Sequence, residues 1–496
     1  MRSASNRLSL THVVICGVFM SLTGCNVGPK YTPPAMTAPP AFKELAPQTG
    51  PDGTLWKAAQ PQDAASRGKW WEMYGEPELN GLEERLNSSN QTIAQSYENF
   101  MAARALVRQA RSNYFPTVTG GPSYTRARSS GSMGGPSGGP AQNLNSNDFN
   151  LSFDVSWEPD VWGRVRSTVR QYANQAQVSA ADLANTRLSE QASLAQYYFE
   201  LRGQDSLIAL YERTVEAYKK SLELTTLLDK TGIDTAQSVA QANLNLQAAK
   251  SSLINLRIAR AQFEHAIALL IGEPASTFSL PVHELTTAAP IIPAGVPSEL
   301  LQRRPDIAAA ERTMAAANAL IDVEVAAFYP SFSISGQGGL QSSTIGSWFT
   351  WPSRFFSIGP SATETFFDAG ARRSTLANYK AEYEADAASY RQTVLTAFQQ
   401  TEDALASQRY LAEQLPQQQA AIDAAQRYLD LANTRFRTGL DPYLDVYTAE
   451  ASLLTQQQTF VSLRVSQMTS NVQLIEAIGG GWDRAQLPPE KELAKK

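Results

Sequence analysis

The chain repeats itself. Thr231-Gly232-Ile233-Asp234 returns as Thr438-Gly439-Leu440-Asp441, and Gly163 followed by Ser167-Thr168 returns as Gly370 followed by Ser374-Thr375, both at an offset of 207 positions. Asn113-Tyr114-Phe115-Pro116 has its counterpart in Ala327-Phe328-Tyr329-Pro330, at an offset of 214. The extra residues of the first copy fall in the Gly/Ser/Pro run Ser129 to Pro140, which has no capacity to pack and reads as a surface loop. Length alone, 496 residues, suggests about three domains of ~150 residues each. The repeat replaces that with one supersecondary unit used twice.

Each unit reads as helix, strand, loop, strand, long helix, tight turn, helix. The helices are expected over 77–113, 164–231 and 235–271, then over 305–327, 371–438 and 442–478. The long ones, at about 68 residues, measure on the order of 100 Å. The two shorter helices of the first copy match that length if stacked end to end. A rod of this kind suits a structure crossing a wide aqueous space. Its tip is explained locally: Gly232 and Gly439 suit the left-handed position that ends a helix, and Asp234 or Asp441 can cap the next one. Pro442 then fits the first helical position.

The helix faces predict coiled-coil packing. Leu444, Tyr447, Ala451, Leu454, Gln458, Val461, Val465, Met468, Val472 and Ile475 keep a strict 3-4 spacing, and Val446, Leu453, Phe460, Gln467 and Leu474 form a second series. The first copy repeats the pattern from Val239 to Leu270, broken only by Arg260. Two seams mean partners on both sides, as in a closed cylinder of helices.

Four strands are expected, over about 115–127, 147–160, 329–342 and 354–367. In the second, Phe149, Leu151, Phe153, Val155 and Trp157 alternate with Asn150, Ser152, Asp154, Ser156 and Glu158. The polar set faces water in a lumen if the apolar set faces lipid. Four strands cannot close a barrel, and open edges are not tolerated in hydrocarbon, so several chains must close it together. A mean hydropathy of -0.28 fits, because only one face of four short strands meets lipid.

The N-terminus sets the compartment. Arg2 and Arg7 precede an apolar stretch from Val13 to Leu22 containing Cys16, which fits a secretory signal. Leu22-Thr23-Gly24-Cys25 is a bacterial lipobox, with Cys25 the residue that accepts diacylglycerol and a fatty acyl chain. Asn26, where Asp would retain a lipoprotein at the inner membrane, favours the outer membrane. The chain divides into a signal peptide (1–24), a lipidated tether (25–76), a first repeat (77–273), an equatorial linker (274–298), a second repeat (299–481) and a polar tail (482–496).

Other classes are excluded. With 42 Lys+Arg against 47 Asp+Glu, nothing is basic enough for a nucleic-acid binder. The mature chain keeps only His265 and His283 and no free Cys, so no metal or catalytic cluster is expected, and no cofactor beyond the acyl groups on Cys25. Gly479-Gly480-Gly481 lacks the Lys-Ser/Thr of a phosphate loop.

Cys25 with Val27-Gly28-Pro29-Lys30-Tyr31, Trp70-Trp71, Leu79, Leu82 and Asn90 resembles the outer-membrane efflux channels of the TolC and OprM type. The likeness continues in Arg303-Arg304-Pro305-Asp306-Ile307, Thr438-Gly439 and Gly479-Gly480-Gly481-Trp482. The resemblance points to the lipoprotein branch serving RND pumps. It implies a mainly α chain with a membrane β-barrel portion, forming a homotrimer whose 12-stranded barrel continues into a 12-helix periplasmic cylinder. It also implies a periplasmic adaptor and an inner-membrane pump as partners, met at the tips Thr231 to Asp234 and Thr438 to Leu440. The family's gate leucine matches Leu444, its tyrosine reads Phe436, and its carboxylate reads Thr448, so Asp441 and Asp445 are the substitute acidic ring. Two alternatives remain at this point: a periplasmic coiled-coil adaptor lipoprotein and a type I protein-secretion duct.

Overall fold

The duplication is carried into the secondary structure. The computed structural model describes residues 27–36, 38–44, 68–128, 145–292 and 297–493. In the first repeat these are α1 (Pro77–Ser89), α2 (Gln91–Ser112), β1 (Thr117–Arg128), β2 (Asn145–Trp157), α3 (Arg164–Lys230) and α4 (Ala236–Leu270). The second contributes α5 (Pro305–Ala326), β3 (Ser331–Ser342), β4 (Arg354–Thr363), α6 (Ala371–Arg437) and α7 (Tyr443–Ala477). Both long helices, α3 and α6, have 67 residues, about 100 Å at 1.5 Å per residue.

The helices pack side by side in one layer. In its upper half the order is α2, α3, α5, α6; in its lower half it is α4, α3, α7, α6. Ala103 and Val107 of α2 pack on Ala173 and Ala176 of α3, while Ala308 and Ala309 of α5 pack on Val178 and Ala181. Lower down, Tyr218 of α3 packs with Leu246 and Ala249 of α4. Alanine on these faces lets the axes approach closely. One close approach is at Gly203 of α3, where an added Cβ would overlap the Val465 side chain of α7.

The antiparallel sheet continues the same order upward, β1-β2-β3-β4. α2 leads into β1, β2 into α3, α5 into β3 and β4 into α6, so each strand stands above its own helix. β1 and β4 are therefore the edges of the sheet as α2 and α6 are the edges of the array.

Where short helices meet end to end, one side chain ties each joint. The expected helix over 77–113 is broken at Asn90, whose backbone is extended. Its Oδ1 accepts from Ile93 N at 2.9 Å, capping α2, and its Nδ2 donates to Leu270 O at the end of α4 and to Glu190 on α3. In the second repeat Arg304 does this work: it donates to Ala477 O at the end of α7 (2.8 Å), to both Asp306 carboxylate oxygens and to Gln400 of α6. The motif that locally reads as a helix start is thus a joint between α7, α5 and α6.

A collar surrounds the joints. Trp70, Trp71 and Tyr74 pack with Leu79, Leu82 and Leu86 of α1 onto Leu194, Tyr198 and Phe199 of α3. Beneath it lies a buried charge cluster centred on Asp205, whose residue is 0% exposed. Its Oδ2 accepts from Arg202 (2.7 Å), its Oδ1 from Arg260 (2.6 Å), and His283 N donates to Oδ2 at 3.3 Å. Arg202 also reaches Glu78 and Pro281 O, so the cluster pins segment 274–292 and α1 to α3.

Three further expectations need correction. α7 starts at Tyr443, with Pro442 as the extended residue before it rather than the first helical one. The apolar seam at the start of α7 runs through Tyr443, Val446 and Ala449, which leaves Leu444 58% exposed. β4 ends at Thr363, not 367, because Arg372 gathers Glu364, Thr365 O and Asp368 and folds the segment back. The signal segment, Cys25 and the loop Ser129 to Pro140 lie outside the described residues.

Candidate functional site

Directly opposed residues of an antiparallel pair project to the same side, so the register sorts the sheet into two faces. Leu151 opposes Pro122 and Leu340; Val155 opposes Val118 and Gly336; Phe153 opposes Gly120 and Gly338. Gly338 in turn opposes Phe356, and Gly336 opposes Ile358. One face thus gathers Val118, Tyr124, Phe149, Leu151, Phe153, Val155, Trp157, Ile334, Leu340, Phe356 and Ile358. The other carries Thr117, Thr119, Ser123, Asn150, Ser152, Asp154, Ser156, Ser333, Ser335, Gln337, Ser357 and Ser361, interrupted by Phe355.

The apolar face is bare. Phe356 is 87% exposed, Ile358 76% and Phe153 57%, which no water-soluble sheet of this size sustains. Strands of 10 to 13 residues match a tilted crossing of a ~30 Å hydrocarbon core. Aromatic side chains gather at both ends. On the helix side Trp162 stacks on Tyr329 at 4.9 Å, and Phe115, Phe366 and Phe367 stand exposed. At the far end are Trp348, Phe349 and Trp351. These are the two interfacial belts of an outer-membrane barrel.

An extended strap ties the N-terminal segment to the array. Gly28 lies against Asp322, Asn318 Nδ2 donates to Pro29 O, and Tyr31 OH donates to Glu311 Oε1 at 2.8 Å. The strap therefore runs down α5, away from the sheet. Phe42 then packs with Leu300, Ala404, Leu405 and Leu474, and Glu402 accepts from the backbone N–H of Lys43 and Glu44. The tail meets it: Arg484 also binds Glu311, at 2.9 Å.

At the far end of the rods the two tips have the same build. Gly232 and Gly439 take φ of +74° and +75°. Ile233 N donates to Leu228 O and Leu440 N to Arg435 O, both at 2.9 Å, closing the ends of α3 and α6. The capping roles differ from expectation. Thr235, rather than Asp234, caps α4, while Asp234 accepts from Ser238 Oγ at 2.6 Å. Asp441 caps nothing: Arg435 grips its carboxylate at 2.5 and 2.8 Å and holds it below the usual carboxylate range. It also lies in the turn, so it and Asp445 do not share a helical face.

Among the proposed gate residues, Leu444 is exposed and Asp445 half-buried. Phe436 packs edge-on to Tyr443 at 5.7 Å, inside a cluster with Ala242, Ala432 and Val446. Tyr443 OH meets Ser221 Oγ at 2.7 Å, so the second hairpin is pinned to α3 just above its tip. Ile233 and Leu440 stand bare at the ends.

Sequence reasoning missed Glu450. It lies on the seam of α7 with Tyr218 of α3 and Tyr443 and Tyr447 of α7 around it, and its Oε2 is buried without a hydrogen-bond partner. Burial pushes its carboxyl up to about 7. The free chain ionises near 4.5 and the folded one near 7, so the folded state binds more protons between them. The stabilisation is full below about pH 4.5 and is lost as pH rises through about 7. Glu450→Gln should flatten that part of the urea-midpoint profile; an unchanged slope would show that other carboxyls set it. No signal marked Glu450, because a polar residue beside a heptad seam is common.

Among the described residues no group of His, Cys, Asp and Glu could hold a metal ion. No described helix is long and apolar enough to cross a membrane. The geometry instead defines a channel protein of the outer membrane: a barrel segment with one lipid-facing side, standing on rods that reach into the periplasm. The outer membrane efflux protein model matches residues 82–273 and 296–480, and the chain belongs to that family. It is 32% identical over 470 residues to the toluene efflux pump outer membrane protein TtgC of Pseudomonas putida, covering 93% of each chain. The pyoverdine export outer membrane protein OpmQ of Pseudomonas aeruginosa is 28% identical over 482 residues, covering 96% of this chain and 98% of its own. The solved outer-membrane channel OprN superposes with a TM-score of 0.84 at 29% identity, over 92% of this chain and all of its own. The chain is thus the outer-membrane component of an efflux system, and the adaptor and secretion-duct alternatives fall away.

Proposed function

We propose that three copies of this chain close into one passive exit duct. The observation that carries this is the coincidence of edges: among the described residues β1 and β4 both lack a partner on one side, above the open flanks of α2 and α6. β4 of one copy beside β1 of the next restores antiparallel order, and three copies give twelve strands, an even number as alternation requires. The polar face, with Asn150, Ser152, Asp154 and Ser156, then lines the lumen.

Cys25 is the lipid anchor in this reading. The strap supports it, since Gly28 sits beside Asp322, one helical turn before the end of α5, which leads into β3. The tips Thr231 to Asp234 and Thr438 to Leu440 meet a periplasmic adaptor, and an inner-membrane RND pump supplies the energy. Solutes are small molecules, as for the relatives named for toluene and pyoverdine. The duct needs no cofactor and does no catalysis of its own.

The gate is held by the Arg435–Asp441 grip together with Asp445 and Leu444. Asp441→Lys with Asp445→Lys sets like charges beside Arg435 and should raise single-channel conductance in planar bilayers severalfold. Unchanged conductance and ion selectivity would remove the gate from these residues.

A further inference from the structure

We propose that the outer end of the sheet's apolar face seats the phosphate groups of outer-leaflet lipopolysaccharide, through Arg126 and Arg128 of β1, completed by Arg354 of the next copy. The β1 part rests on the outer-membrane placement alone, and the Arg354 part rests on the closure proposed above.

The register puts all three arginines on the lipid side. Tyr124 opposes Phe149 on the apolar face, and Arg126 and Arg128 follow it at the strand's period of two, opposing Asn147 and Asn145. Arg354 opposes Leu340, so it stands on that face too. All three are exposed. Strand side chains project roughly perpendicular to the sheet, so a neighbouring strand beside β1 leaves Arg126 and Arg128 uncovered.

No carboxylate neutralises them. Neither Arg126 nor Arg128 has an ion-pair partner among the described residues. The two outer connections, 129–144 and 343–353, contain no Asp or Glu. The four strands carry only Asp148 and Asp154, both on the polar face, and Gln341 holds both oxygens of Asp148 at 3.1 Å. Arg354 Nε donates to Trp351 O at 3.2 Å, and its guanidinium lies against the Trp351 ring in the outer aromatic belt.

Depth supplies the occupant. Arg126 lies as far along β1 from Thr117 as Arg354 lies along β4 from Thr363, nine residues in each case. At about 3.3 Å per residue and a tilt of about 40°, that is about 23 Å above the helix side, near the top of an apolar band about 25 Å tall. The rods reach into the periplasm, so this end lies in the outer leaflet, whose glycolipid carries phosphates on its acylated sugars. With β4 of one copy beside β1 of the next, Arg354 joins Arg126 at a matching height on the adjacent strand. Guanidiniums grip phosphate oxygens two at a time, while the acyl chains run down past Tyr124, Phe356 and Ile358.

The test is lipid retention by the full-length protein in detergent with EDTA. It is read by native mass spectrometry after titration with bisphosphorylated lipid A or its dephosphorylated form. The phosphorylated form should be retained preferentially, and the preference should fall about fivefold per arginine removed in Arg126→Gln and Arg128→Gln. Arg354→Gln should lower it too in protein that runs as a trimer, whereas Arg427→Gln, exposed near the tips, should leave it unchanged. In the wild type alone, about 1 M NaCl should abolish the preference, which keeps the test decisive if a variant misfolds. Equal retention of the two forms by the wild type, an undiminished preference in the Arg126→Gln, Arg128→Gln double variant, or displacement by an equal amount of phosphatidylglycerol overturns the proposal. Loss in the β1 variants but not in trimeric Arg354→Gln leaves the seat on β1 intact and counts against the β4-to-β1 closure.

Discussion

Ile358→Arg should prevent assembly in the outer membrane, whereas Ser357→Arg, the preceding residue on the same strand, should assemble. The two positions differ only in the face they occupy. Ile358 is near the middle of β4 and opposes Gly336 on the apolar side; Ser357 opposes Gln337 on the polar side. An arginine facing lipid near the bilayer midplane costs about 2–4 kcal/mol. A closed trimer carries it three times, so the total reaches on the order of 6–12 kcal/mol, comparable with the whole stability of an ordinary domain. On the polar side the same side chain stays in water and adds three positive charges to the lumen. Outer-membrane fractions should therefore hold the Ser357 variant at close to wild-type amounts, with its cation conductance reduced, and hold little of the Ile358 variant. Equal yields of the two would mean that neither face meets lipid.

Asp205→Ala should loosen segment 274–292 from the helices. Its carboxylate is shared by Arg202 and Arg260 and also receives the His283 backbone N–H, in a position with no exposure to water. Removing it leaves two guanidiniums close together and one buried donor unmet. Breaking a buried pair in this way costs about 3–5 kcal/mol. The loss falls locally, around Pro281 and His283, because Leu285 N still donates to Ser206 Oγ at 2.8 Å and Arg464 and Asn471 still hold Thr287 O and Pro290 O. Limited proteolysis should cut that segment first, while the sheet and tips stay intact. Resistance equal to wild type would show that the hydrophobic collar alone holds it.

What was legible in the sequence follows from period and repetition. Alternation from Phe149 to Trp157 fixes a face directly, since the side-chain period of a strand is two. The offset of 207 reappears in the helices, with α6 starting at 371 against 164 for α3, and α7 at 443 against 236 for α4. Contacts between distant segments were not legible. Nothing local distinguishes Asn90 as the residue that breaks a helix and ties its ends to α3 and α4, or Arg304 as the clasp of the second joint. Leu444 misled for a related reason: the heptad series that includes it drifts at the tip, where the hairpin packs through Tyr443 and Val446 instead. Asp441 reads as a helix cap from its place before Pro442, yet Arg435, six residues earlier at the end of α6, claims its carboxylate.

The central claim is that the polar face of the sheet lines a water-filled conduit through the membrane. Charged methanethiosulfonate, added to the aqueous phase of a planar bilayer holding Ser152→Cys or Phe153→Cys protein, tests it most directly. The background is clean, because the only cysteines in the sequence are Cys16 and Cys25, the latter proposed above as the lipid anchor. Current through the Ser152→Cys channel should step down on modification, and current through the Phe153→Cys channel should hold steady. The reverse order, or no step in either, would contradict the account.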